Sequence, residues 1–107
     1  MTDLARMDAY CESKIAHSVN MLVPWYLIAS YAYYVLDSPV LSDDMYDRIC
    51  FLLAEEIDCV NISHRHLSYC DTGALNAGTA YHITEYPSIV ASVAERFVVG
   101  GEVPDAF

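Results

Sequence analysis

The stretch from Ser18 to Leu36 carries no charged residue, and that feature governs what the chain can fold into. Such a run is either a membrane span or the central helix of a core. A span needs about 20 predominantly apolar residues, with aromatic side chains collected at its two ends. This run contains Asn20, Pro24 and Ser30, and its four tyrosines, Tyr26, Tyr31, Tyr33 and Tyr34, fall in its middle and at its end. The expectation is no membrane, and a central helix over 25–36 that is apolar nearly all round. Pro24 marks its start, because proline lacks an N–H and suits a first helical turn.

The flanking segments supply partners for that helix. Leu4, Met7, Cys11, Ile15, Val19 and Leu22 recur at helical spacing and predict a helix over 3–22, capped by Thr2 or Asp3. Asp37-Ser38-Pro39 is a turn signal. Ser42 then stands as the N-cap of a helix over 43–57, and Asp43 and Asp44 in its first turn favour the helix dipole. Met45, Tyr46, Ile49, Cys50, Leu53 and Ile57 form its apolar stripe. After Pro87, the residues Ile89, Val90, Val93, Ala94, Phe97 and Val98 predict a last helix over 88–99, stopped by Gly100-Gly101. The segment 58–86 reads as irregular. Asp71-Thr72-Gly73 and Asn76-Ala77-Gly78 mark turns, and Thr79 to Tyr86 reads as a short extended piece without a partner strand. The expected fold class is a small, mostly all-α bundle, one domain over 1–107, with a helix-turn-helix hairpin around Asp37–Leu41.

Charge narrows the function. Lys and Arg total 5 against 15 Asp and Glu, a formal charge of -10. Phosphate recognition runs on clustered Lys and Arg, so no direct nucleic-acid contact is expected. The excess of carboxylates suits a basic protein surface. One function class is therefore an acidic protein-interaction module, an inhibitor or adaptor of the kind viruses encode, with its exposed tyrosines as anchors. Asp3, Arg6 and Asp8 interrupt any early apolar run, so no secretion signal is read and a cytoplasmic location with reduced thiols is expected. The sequon Asn61-Ile62-Ser63 then carries no weight. Cys59, His64, His66 and Cys70 fall close together in the chain. The paired Cys-x2-Cys spacing of a zinc site is missing, and no metal is expected.

A second function class comes from residues 31–57. The sequence Tyr31-Ala32-Tyr33-Tyr34-Val35-Leu36-Asp37-Ser38-Pro39-Val40-Leu41-Ser42-Asp43-Asp44-Met45-Tyr46-Asp47-Arg48 resembles the N-terminal helical domain of bacterial NAD-dependent DNA ligases. That family has a helix ending in Tyr-Tyr or Tyr-His, then Val-Leu-Asp-x-Pro, then Ser/Pro-Asp-x-x-Tyr-Asp-Arg opening the next helix. The family's domain grips the nicotinamide mononucleotide half of NAD. The resemblance implies that Tyr33 and Tyr46 stack on the two faces of the nicotinamide ring. It also implies that Asp43 and Asp47 accept hydrogen bonds from ribose and carboxamide, and that Tyr34 approaches the phosphate side.

The chemistry also stands on its own. The nicotinamide of NAD is a flat cation, and an aromatic face attracts a cation by about 0.5–2 kcal/mol. Asp43, Tyr46 and Asp47, at i, i+3 and i+4, share one helix face. Ala29, Ser30 and Ala32 depart from the family, which tends to have His, Asn and a longer, often basic residue there. The ligase motif Lys-x-Asp-Gly is absent, since Lys14 is followed by Ile15, Ala16 and His17. The expectation is a non-catalytic module binding NAD or nicotinamide mononucleotide, either a stand-alone reused ligase domain or a subunit of a split ligase.

Overall fold

The computed structural model describes residues 4–64, 66–80 and 82–100. Among them are five α-helices and no strand: α1 (Leu4–His17), α2 (Leu22–Tyr34), α3 (Asp43–Asp58), α4 (Thr72–Asn76) and α5 (Ser88–Gly100). The chain is thus the small all-α bundle expected from its periodicity.

α2 is the axis of the core. Leu22, Val23, every residue from Trp25 to Ser30, and Ala32 are buried, as a charge-free helix requires. It packs most extensively on α5 and also on α3, while α4 packs on α3. Trp25, fully buried, takes the edge of Tyr10 from α1 at 5.9 Å and stacks on Phe97 of α5 at 5.7 Å. One aromatic cluster therefore joins three helices, and such pairs add about 0.5–1.5 kcal/mol each beyond area burial.

The boundary between α1 and α2 differs from the sequence reading. α1 ends at His17, not at residue 22. Ser18 is extended (φ -154°, ψ 126°), a 3-10 turn covers Val19–Met21, and α2 starts at Leu22. Pro24 sits inside the first turn of α2, where its missing N–H has no intrahelical partner to lose. It therefore lies inside α2 instead of preceding it. Thr2 and Asp3, read as the cap of α1, and Gly101 of the Gly100-Gly101 stop lie outside the described residues.

α3 begins where the sequence places it. Ser42 Oγ accepts from Met45 N–H at 3.2 Å. Asp8 of α1 grips the same serine twice, accepting from its N–H at 3.0 Å and its Oγ–H at 2.6 Å. Between α2 and α3, Ser38 N–H reaches back to Ala32 carbonyl at 2.9 Å across Asp37. Asp37 holds φ 51°, a left-handed conformation that Asp tolerates better than most residues. The segment 58–86 is mostly irregular but holds a 3-10 turn at Leu67–Tyr69 and the short α4, whose cap Asp71 accepts from Ala74 N–H at 3.0 Å. The stretch read as extended, Thr79–Tyr86, forms no strand at its described residues.

Candidate functional site

A cleft of about 270 Å³ opens where the end of α2, the 35–42 connection and the first turns of α3 meet. Its lining holds Tyr33, Tyr34, Asp43, Tyr46 and Asp47, together with Ala29, Pro39, Val40, Leu41 and Gly78. The structure thus brings all five candidate residues to one concavity. The local reasons are few. Tyr33 and Tyr34 close α2. The Asp37 turn swings the chain round, and the Ser42 cap fixes the phase of α3 so that residues 43, 46 and 47 face back toward α2.

The tyrosines differ in their freedom. Tyr33 is 52% exposed at the rim, and its ring meets Tyr34 edge-on at 5.0 Å. Tyr46 is fixed. Its ring stacks on Tyr26 at 6.1 Å, and its hydroxyl lies 2.7 Å from Ser30 Oγ. Ser30 is fully buried and donates its single proton to Tyr26 carbonyl at 2.6 Å, so Tyr46 is the donor to Ser30. Burial pushes the Tyr46 hydroxyl above its ordinary pKa, and that proton stays on.

Asp43 and Asp47 are exposed carboxylates on one edge of the cleft. Gly78 lines the cleft beside Asp47. It holds φ +69°, and a Cβ there would stand 3.2 Å from Asp47 Oδ1. The neighbouring Thr79 is pinned through its carbonyl, which accepts from Tyr26 hydroxyl at 2.7 Å. Sequence reasoning recognised the turn at Asn76-Ala77-Gly78 but not its place in the cleft. The packing of α4 on α3 and the long-range Tyr26–Thr79 bond bring it there, and no local pattern announces either.

Cys59 is exposed at the end of α3, and Cys70 is half-buried. His64 and His66 have ring centroids 5.4 Å apart. Among the described residues no group of three or more His, Cys, Asp or Glu is arranged to hold a metal ion. Among them, too, no helix is long and apolar enough to cross a membrane. Compared with protein-family models, curated proteins and solved structures, the chain shows no match.

Proposed function

We propose that the cleft binds the nicotinamide mononucleotide half of NAD, as a non-catalytic module. The observation that carries this reading is the convergence of Tyr33, Tyr34, Asp43, Tyr46 and Asp47 on one concavity. Three aromatic rings and two carboxylates suit a flat cation. A volume of about 270 Å³ lies just below the usual range of ligand clefts, which suits a mononucleotide better than a whole dinucleotide.

Calorimetric titration with nicotinamide mononucleotide and NAD tests the reading. Tyr33→Ala is the cleanest variant, because its ring is half exposed. It is expected to weaken binding by roughly tenfold, the worth of one cation–π face. Tyr46→Ala is expected to lose about as much affinity, and also stability, since Tyr26 and Ser30 lean on it. Trp25 lies outside the cleft lining, so its fluorescence follows unfolding rather than binding. No saturable heat from either compound at millimolar concentration ends the reading.

A second reading keeps one specific observation. Phe51 on α3 is 66% exposed, and Asp44, Glu55 and Asp58, also exposed, fall within about 40° of it on the helical wheel. An acidic face around an aromatic anchor suits a basic protein partner. Phe51 takes the place of the tyrosines expected as anchors, since Tyr33 alone is exposed among the described tyrosines. A partner retained equally by wild type and Phe51→Ala, and equally at 0.1 M and 1 M salt, would remove this reading.

A further inference from the structure

We infer that the cleft holds the flat cationic base and ribose more tightly when no phosphate is attached, so that it prefers a pyridinium nucleoside of the nicotinamide riboside kind over its 5′-phosphate. The inference rests on the cleft being the ligand site proposed above, and it narrows the ligand class.

Among the described residues the lining contains three tyrosines and two carboxylates but no Lys, Arg or His. A pyridinium ring gains from every polar group there. A 5′-phosphate, at about -1.5 to -2 charge near neutral pH, gains only from tyrosine hydroxyls and shares the sign of Asp43 and Asp47. Phosphate sites are built from Lys, Arg or the free N–H groups of a helix N-terminus. The N-terminus of α3 adjoins this cleft, but side-chain oxygens and carboxylates already crowd it. Met45 N–H is taken by Ser42 Oγ, Asp8 holds Ser42 by both of its donors, and Asp43 and Asp44 occupy the first turn. Carboxylates thus answer the dipole that would otherwise draw a phosphate. The nearest cation along α3, Arg48, is engaged by Glu12 of α1, and Lys14 lies over the Tyr10 ring. The rings and carboxylates serve the cationic base, and among the described residues the lining provides no cation for the charge at the other end of a nucleotide.

Calorimetric titration of the whole chain with four probes separates the outcomes. These are nicotinamide riboside, nicotinamide mononucleotide, 1-methylnicotinamide, and the uncharged 1,4-dihydro form of the riboside. At 50 mM salt the riboside is expected to bind roughly tenfold more tightly than the mononucleotide and than its dihydro form. 1-Methylnicotinamide should compete with the riboside for the same site. Raising salt to 0.5 M, or replacing Asp43 by Asn, should narrow the gap between riboside and mononucleotide. That ratio is not moved by a mere loss of folded protein. Mononucleotide binding as tightly as riboside, or dihydro form binding as tightly as the cation, overturns the selection while leaving the proposed site standing. Silence from all four probes overturns both.

Discussion

At the scale of single residues, Ser30 joins the core to the cleft. Its one proton goes to Tyr26 carbonyl, so its lone pair is what Tyr46 donates to. Tyr46→Phe keeps the ring face yet strips a buried acceptor of its partner. The expected cost is about 1–2 kcal/mol of stability, or a melting temperature lower by about 5–10 °C, with ligand affinity changed less than about twofold. Unchanged melting with a large loss of affinity would show that the hydroxyl meets ligand rather than Ser30. The thiols give a pH dependence of known sign. Burial pushes Cys50 and Cys70 from 9.0 up to about 12. Below pH 9 both states hold these protons and nothing changes. Between pH 9 and 12 the unfolded chain releases protons that the folded chain keeps, so stability falls, by up to about 1.4 kcal/mol per pH unit for each thiol. Urea unfolding at pH 8, 9, 10 and 11 should show a plateau and then a decline, shallower in Cys50→Ala. A curve that rises above pH 9 would contradict this environment for the thiols.

At the scale of elements, legibility followed how local the stabilising contacts are. α3 was readable to within a residue at both ends because Ser42, Asp43 and Asp44 act on backbone groups beside them. The start of α2 was misplaced because Pro24 is permitted in a first turn as well as at a break, and the extended Ser18 makes no side-chain cap bond that would mark it. The end of α3 carries a strain that sequence periodicity does not show. Asn61 N–H bonds Glu56 carbonyl at 2.9 Å, and Val60 N–H bonds Ile57 carbonyl at 3.0 Å. This is a Schellman closure with Val60 in the position that needs φ > 0. Val60 holds φ 58° and is 86% exposed, so a β-branched residue bears the left-handed strain with almost no burial in return. Val60→Gly is expected to raise stability by about 0.5–1 kcal/mol, since relief of strain exceeds the added freedom of the unfolded chain. A thermal melt checks it, and a lower melting temperature would mean that Val60 makes a contact worth more than its strain.

At the scale of the whole molecule, the parts that sequence reading missed are those tied across the fold. Segment 58–86 is held to the rest of the fold by Asn20 Oδ1 accepting from Ser63 N–H at 2.8 Å and by Tyr26 hydroxyl on Thr79 carbonyl, and it is tied within itself by His82 Nε2 at 2.7 Å from Tyr69 carbonyl. Each pairs a side chain with remote backbone, so neither α4 nor the Gly78 wall had a periodic signature. The cleft was legible on its α2 and α3 sides, where spacing along two helices sets its residues, and not on the third. Net charge acts at the same scale. A charge of -10 lies on a body of 35 × 29 × 24 Å. At 0.01 M salt the screening length is about 30 Å, so carboxylates repel one another across the whole molecule, whereas at 1 M it is about 3 Å. This self-repulsion destabilises the compact state. The opposing effect is small: the Arg48–Glu12 pair has both side chains 54% exposed, and such pairs contribute about 0–1 kcal/mol. The melting temperature is therefore expected to climb by several degrees between 0.01 and 0.5 M NaCl. Chloride is the right salt, because sulfate would stabilise by exclusion from the surface whatever the charge. Glu55→Lys with Asp58→Lys takes the net charge from -10 to -6. It also places cations at the C-terminal end of α3, which has no basic residue in its last turn. The double variant should melt higher at low salt and respond less steeply to added NaCl. A wild-type melting temperature that falls with NaCl, or a double variant as salt-sensitive as wild type, would show that local ion pairs rather than overall repulsion set the electrostatic stability of this fold.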